Sequence, residues 1–531
     1  MEARAAISLV LNAHLPFVRD YQKHGEDLFF SVEEDWFFEA LAETYLPLLG
    51  VFERLEAAGV PFSLGIALSP LLCQMMQDEF LINKFIKYTD KQIEFGLQEL
   101  ERTSALPELN NLAKTYCDIA VERKIAFTER YECNLLKVFD YFQRKGRIEI
   151  LASPATNPFL PFFCNCPESI QAQIETALAC YRRHFSAFVQ GFWLPELGWS
   201  AELDSSLRSY NLNYTIVDTH GFVFGSPAPK RGSFFPVRTP AGIVAFSRDF
   251  YAGKALDAIG KESFRDNSRD AGYELSTREL VPFINTNGIR MRTGYKYWAR
   301  SAAGAEEAVY NPLSAEESAA EQARVFFEAQ KARLAEAAGH MEETPICVCA
   351  CNADAFGRFW YEGPAFLEAL FRAAAACPEI QLIAPSKYLA LQKFSQLEVS
   401  VPEFSSCGCN GYAETWLDSS NDWLYRHLAR AQDRMVELAQ RFPDDSGLNE
   451  RALNQAAREL LLAQASDWPK LLYRQESTEY VRAQLEDALR NFTTIYESLG
   501  STYISTEWLT KLEKRHNVFP HINYRVFQKK H

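Results

Sequence analysis

The chain has 531 residues, 47% hydrophobic and 13% aromatic, with 55 Lys+Arg against 69 Asp+Glu and a formal net charge of −14. That length exceeds one small core and predicts two or three structural units, while the acidic balance argues against a nucleic-acid partner, since a phosphate backbone is repelled on average. No apolar stretch reaches membrane-spanning length, and the apolar run within residues 1–19 passes into polar sequence that reads as folded rather than as a secretory leader, so a soluble, cytoplasmic protein without a membrane partner is expected.

In chain order, apolar, β-branched or aromatic runs predict strands at 5–11, 62–66, 148–152, 188–193, 214–217, 243–246, 346–351 and 380–383. Residues 70–145 carry no strand signal and read as helices, for example 84–100 and 124–144, inserted between two early strands. The Ala- and Glu-rich stretch 301–339 predicts an exposed helix. From about residue 411 the pattern is helical again: Leu424, Leu428, Ala431, Met435 and Leu438 keep helical spacing, and further helices are expected near 449–465 and 477–499. Strands alternating with helices predict an α/β fold with a parallel sheet, open or closed into a barrel. The expected division is a β/α-barrel domain over 1–400, with the mostly helical insertion at about 70–145, and an α-helical domain over 401–531.

Most predicted strands end in polar residues: His14, Ser69, Asn157, Glu196, Asp218 with His220, Arg248 with Asp249, and Asn352 with Asp354. In parallel β/α folds ligands sit at those C-terminal ends. The twelve cysteines include clusters spaced by two, Cys164/Cys166, Cys347/Cys349/Cys351 and Cys407/Cys409, which is strand periodicity. Neighbours so spaced do not easily pair with each other, so reduced thiols are expected. Zinc sites show wider pairs such as C-x₂-C, so no metal is expected here.

The sharpest chemical signal is GFWLPELGWS at 191–200. Glu196 lies between Trp193 and Trp199, and Pro195 restricts the residue before it to extended geometry, which presents Glu196 at a strand end. An acid between flat aromatic faces suits a sugar ring, which stacks on its apolar faces and hydrogen-bonds at its edges. Plainer readings stand beside this one. Trp199 packs under the strand end or against a sugar. Trp360 and Tyr361 are core aromatics or a sugar platform. Asp218 and His220 cap the next helix or face the cleft, and Arg248 pairs with Asp249 or reaches substrate. Trp416 and Trp423 seal a domain interface or face the cleft, the first being favoured.

Several segments together resemble glycoside hydrolase family 57, in particular its α-1,4-glucan branching enzymes. They are LNAHLPFVRD with EEDWFFEALAETYLPLL, IEILASPATNPFLPFF, GFWLPELGW, NADAFGRFWYEGP, and the C-terminal WLDSSNDWLYRHLARAQDRM and RELLLAQASDWP. The resemblance spans nearly the whole chain. It implies a distorted seven-stranded β/α barrel with a helical C-terminal domain against its active-site face, α-1,4-glucan or maltooligosaccharide as substrate, and no cofactor. It implies Glu196 as the nucleophile of a retaining mechanism, and substrate contacts at His14, Asn157, Trp193, Arg248, Gly260, Trp360, Cys407 and Asp467.

The chain departs from that family where acid–base chemistry is needed. The family's catalytic aspartate stands four residues before the Phe of FG, and that position is Asn352 here. Asn12 and Asn157 stand where the first two motifs have histidines, and Cys407 stands where a tryptophan is expected. An amide donates no carboxylic proton, and general acid–base help is worth roughly 10²–10⁴-fold. Asp354 is the candidate substitute: on a strand it would share a face with Asn352, about 7 Å along. Three functions follow: an active branching-type transferase, an impaired relative that binds α-glucan or a partner protein, and an α-glucan hydrolase.

Overall fold

The computed structural model describes residues 4–19, 31–261, 263–280, 290–301, 307–501 and 503–530. Nine strands are present among them: β1 Ala5–Ala13, β2 Leu64–Leu68, β3 Ile148–Leu151, β4 Gly191–Phe192, β5 Tyr214–Val217, β6 Val237–Arg238, β7 Val244–Ser247, β8 Ile346–Asn352 and β9 Ile380–Leu382. One sheet runs β3-β2-β1-β8, all parallel, with β9 beside the first residues of β1. The other runs β4-β5-β7 in parallel, with β6 antiparallel at its edge.

Two isolated parallel bridges join these sheets, Ala152 with Phe192 and Arg248 with Val348. The parallel strands therefore follow one another around a ring, β1-β2-β3-β4-β5-β7-β8, whose two seams are single bridges instead of full ladders. Strands buried on both faces explain the near-continuous apolar runs. Ile7, Leu9 and Leu11 of β1 pack outward beneath helices, while Ala6 and Val10 pack inward with Ile216, Phe246, Val348 and Ala350.

β4 is shorter than the predicted 188–193. Phe188 is 89% exposed, and the strand holds only Gly191–Phe192. Between β2 and β3 the helices are Pro70–Gln77, Glu79–Arg102, Pro107–Ile125 and Leu135–Arg144. The predicted helix over 124–144 is broken in two, because Glu132 and Cys133 take positive φ and Asn134 caps a new start by accepting from the Lys137 amide. The long helix is Pro312–Ala338, a surface helix whose stripe of Ala315, Ala319, Ala323, Phe326, Phe327 and Leu334 is buried while the rest of it, Leu313 and Val325 included, faces outward. Residues 302–306 of the predicted 301–339 helix lie outside the described residues.

The C-terminal helices Trp423–Arg441, Gly447–Ala463, Asp467–Arg474, Thr478–Ser501 and Thr506–Arg515 lie against the barrel. The segment leading to them is stitched to it by bridges from Val399 to Arg238, Val401 to Ser226 and Ser405 to Trp199. No helix among the described residues is long and apolar enough to cross a membrane.

Candidate active site

After β4 the chain turns sharply. Glu196 and Leu197 both take left-handed backbone conformations, φ 57° and 52°, with amides of Leu197 and Gly198 donating to the carbonyls of Leu194 and Pro195 at 2.9 Å. Such conformations cost roughly 1–3 kcal/mol each for non-glycine residues and persist only where the surroundings hold them. Here the Cys407 amide donates to the Glu196 carbonyl at 2.8 Å. Trp199 is fully buried and its indole N–H donates to the Pro402 carbonyl at 3.0 Å, which settles it as packing beneath the turn.

The turn sets Glu196 in a cleft of about 540 Å³ that Asn12, Trp193, Arg248, Asn352, Cys407 and Lys470 also line. Lys470 donates to both Glu196 oxygens, at 2.9 and 3.1 Å. Burial is the largest single influence on Lys470 and would lower its pKa, but the Glu196 charge and hydrogen bond, with Cys407 and Asp467, together outweigh it and hold the ammonium above the usual lysine range. The Cys407 thiol is 3.7 Å from Glu196 Oε2. Across the cleft, Asn12 and Asn352 are register partners at the ends of β1 and β8, and Asn12 Nδ2 donates to Asn352 Oδ1 at 3.1 Å.

Asp354 is placed elsewhere. β8 ends at Asn352 and residues Ala353–Ala355 form a 3₁₀ turn, so the two-residue strand period no longer applies. Asp354 is 6% exposed, accepts from the Tyr45 hydroxyl at 3.2 Å and pairs with Arg358 at 3.3 Å. Burial raises its pKa above the usual carboxylate range, against the pull of Arg358. It does not line the cleft, whereas Asn352 and Ala355 do.

The other candidate residues divide similarly. Trp193 and Arg248 line the cleft. Arg248 pairs with Asp218 at 3.4 Å, while Asp249 pairs with Arg333 at 2.8 Å, so Arg248 and Asp249 do not pair with each other. Asp218 also caps the next helix through the Thr219 amide at 2.7 Å, and His220 lies 3.4 Å from it. His14 bridges Ser69 and Asp467, each at 2.9 Å, outside the cleft lining. Asn157, with φ 58°, donates to Ser466 Oγ at 3.2 Å and accepts from the Ser466 amide at 3.0 Å. Both pairs tie the barrel to the C-terminal helices.

Trp360 is a core aromatic, 2% exposed and packed on Phe356 and Phe366, and Gly260 abuts it from the neighbouring helix. Tyr361 stacks under the buried Arg265 guanidinium, 3.6 Å from its ring centre. Trp416 stacks on Phe159 at 4.6 Å and also borders the cleft. Sequence reasoning missed Lys470, and with it Asp257, Tyr473 and Arg474, which line the same cleft. Only the position of Lys470, three residues after Asp467, hinted at it.

Comparison with known proteins agrees with this architecture. The sequence model of glycosyl hydrolase family 57 matches residues 8–402, three quarters of the chain, in the region that carries Glu196 and Asn352. The chain belongs to glycoside hydrolase family 57. The model of the 1,4-alpha-glucan branching enzyme C-terminal domain matches residues 427–527 of this family 57 protein, which carry Asp467 and Lys470. It is 27% identical to a 1,4-alpha-glucan branching enzyme of Thermococcus kodakarensis, over 97% of this chain and 77% of that one. The crystal structure of the alpha-amylase AmyC from Thermotoga maritima matches with a TM-score of 0.91 at 31% identity, covering 99% of this chain and 100% of that one. That of the family 57 branching enzyme from Pyrococcus horikoshii matches with a TM-score of 0.88 at 25% identity, covering 99% and 97%.

Proposed function

We propose that the Glu196 cleft takes α-1,4-glucan and that the chain is a branching-type family 57 protein whose transfer of glucan segments to α-1,6 positions is strongly slowed at Asn352. A retaining mechanism uses a nucleophile and an acid/base carboxyl about 5–5.5 Å apart. Glu196 supplies the first role: its carboxylate attacks the anomeric carbon to form a glycosyl-enzyme. The second role is protonation of the departing oxygen, then activation of the incoming 6-hydroxyl. The residue at that position is an amide whose oxygen is occupied by Asn12.

The single observation that carries the reading is the pairing of an exposed-to-cleft Glu196 with Asn352 across the same cavity, while Asp354 is bound by Tyr45 and Arg358 away from it. Glucan binding draws on different residues. Trp193 forms part of the cleft wall, and Arg248 and the two asparagines offer edge hydrogen bonds. No metal or cofactor enters this chemistry.

The test is to incubate the protein with amylose, debranch the product and count new α-1,6 linkages beside Glu196→Ala and Asn352→Asp. Weak activity that rises steeply in Asn352→Asp and vanishes in Glu196→Ala is expected. Wild-type turnover equal to that of Asn352→Asp would defeat the claim of slowing. Failure to bind maltooligosaccharides at millimolar concentration would defeat the glucan reading itself. Hydrolysis is the second reading, favoured by the alpha-amylase description of the Thermotoga maritima structure. The same incubation reports it as new reducing ends without new branches.

A further inference from the structure

Among the described residues that line the Glu196 cleft, Asp257 carries the one carboxylate besides Glu196 itself. It lies on the helix Phe250–Lys261, which begins two residues after Arg248. Ala252 and Leu256 of that helix are buried in the core, and the neighbouring stripe, Gly253 and Asp257, one helical turn apart, faces the cleft. Arg248 bridges to Val348, and the Asp249 amide donates to the Val348 carbonyl at 2.8 Å, which sets the helix against β8. Asp257 therefore enters the cleft from the flank where β8 ends in Asn352, and Cys351 and Asn352 line that flank with it. Glu196 enters after β4, which β5 and β7 separate from β8 in the ring.

We propose that Asp257 is the acid/base carboxyl of the slow transfer, an inference that rests on the α-1,4-glucan function proposed for the Glu196 cleft. In the first step the Glu196 carboxylate attacks the anomeric carbon and the glycosidic C–O bond breaks. The departing oxygen takes the proton of the Asp257 carboxylic acid. In the second step the incoming 6-hydroxyl gives a proton back to the Asp257 carboxylate while its oxygen attacks the anomeric carbon, and the ester bond to Glu196 breaks. Both carboxyl groups end as they began, so no co-reactant is needed.

Other proton-bearing groups of the cleft are less suited. Lys470 is held by both Glu196 oxygens. The Cys407 thiol is pushed up to about 12, by burial first and then by Glu196, and Tyr473, a phenol, is a far weaker acid than a carboxyl. Asp354 is bound by Tyr45 and Arg358 outside the cleft lining. Asp257, by contrast, is exposed and makes no hydrogen bond or ion pair among the described residues, so it turns towards a bound sugar without breaking a contact. A cleft of about 540 Å³ is of the size that encloses one small ligand, so groups on its facing walls meet the same sugar units. The same freedom accounts for the slowness, because an acid that is not held in place forfeits much of the worth of positioning.

The full chain is assayed on amylose and on α-maltosyl fluoride, whose fluoride leaves without a proton. Asp257→Asn should lower transfer from amylose by roughly 10²-fold or more, while fluoride release falls far less. Azide added to Asp257→Ala should restore turnover, with α-maltosyl azide as the product. Asn352→Asp combined with Asp257→Asn should recover transfer, since the acid/base then stands on β8, and that recovery also shows that the Asp257 variant folds. Equal losses on both donors, or unchanged transfer in Asp257→Asn, would overturn the proposal. So would wild-type transfer no higher than that of Glu196→Ala while Asn352→Asp transfers, a result that keeps the glucan cleft and removes only Asp257. Failure of Asn352→Asp either to transfer or to bind maltooligosaccharides would defeat the glucan reading, and the role of Asp257 with it.

Discussion

Lys470 Nζ stands 2.9 Å from one oxygen of Glu196 and 3.1 Å from the other, across 274 residues of chain. The pair joins the first turn after β4 to the C-terminal helix Asp467–Arg474, so it is a structural bond between barrel and helical domain as well as the setting of the proposed nucleophile. Its side chains are 23% and 12% exposed, which leaves less solvent screening than a surface pair has but more than a dry interior.

Removing the ammonium should therefore be felt. Lys470→Met is expected to cost about 1–3 kcal/mol, the range for a charge-assisted hydrogen bond whose partner is left in a partly buried site. A double-mutant cycle with Glu196→Gln, read by denaturant unfolding, should return a coupling of at least about 1 kcal/mol. Additive single effects would show that the pair does not act as one unit.

Asn352→Asp restores a carboxyl opposite Glu196. Branching activity is expected to rise by roughly 10²–10⁴-fold, the usual worth of a positioned general acid and base, measured as new α-1,6 linkages. The register of β1 against β8 places Asn12 beside the new carboxylate as a donor, so the substitution needs no rearrangement.

Asp354→Asn tests the alternative acid. The amide still accepts from Tyr45 but leaves the mostly buried Arg358 with one anion, Glu39 at 3.0 Å, in place of two. Stability should fall by about 1–3 kcal/mol, while residual transfer persists in the folded fraction. Loss of all transfer at unchanged melting temperature would instead make Asp354 the acid.

Asp35 gives a pH dependence. Burial, then the charge of Glu39, pushes its pKa up to about 8, with Arg292 and Arg358 opposing and Asp270 adding to the rise. One of its oxygens has no hydrogen-bond partner among the described residues. Its folded pKa lies above the unfolded value of 3.8, so its contribution is fully present below that value and is lost as pH rises towards 8, by at most about 1.4 kcal/mol per pH unit. Glu39, held at about 2 by Lys296, Arg292 and Arg358 against its burial, acts oppositely: its contribution is present above 4.5 and is lost as pH falls through 2. Asp35→Asn should therefore be more stable than the wild type at pH 8, with the gap closing towards pH 5, in melting curves across that range.

Gly357 explains the FG of NADAFGRFWYEGP. Its φ is 134°, and a Cβ there would stand 1.9 Å from the Glu43 carbonyl oxygen. Gly357→Ala is expected to cost roughly 2–4 kcal/mol through combined backbone strain and overpacking. A melting temperature within a degree of the wild type would refute that account.

Local chemistry made much of this protein readable from its sequence. Apolar runs with polar ends mark most strands, because both faces of a parallel sheet are buried and the C-terminal ends open to ligand. The predicted 214–217 coincides with β5, and the turn in GFWLPELGWS sets Glu196 in the cleft just after β4, with Trp193 beside it there but Trp199 beneath. Where period-2 reasoning ran past the end of a strand, it failed: Asp354 shares no face with Asn352 because the chain leaves β8 between them. Trp360 and Trp199, equally plausible beside a sugar, went to the core because burying an indole outweighs leaving it at a rim.

Only the tertiary structure decided what depends on distant charges. No sequence spacing relates Lys470 to Glu196, or Asp467 to His14, since an ion pair is set by where domains pack and not by separation along the chain. The sequence by itself determined the family resemblance, the candidate carboxylate Glu196 and the amide at 352; the packing of the C-terminal helices on the barrel determined how Glu196 is held, because its cation comes from there.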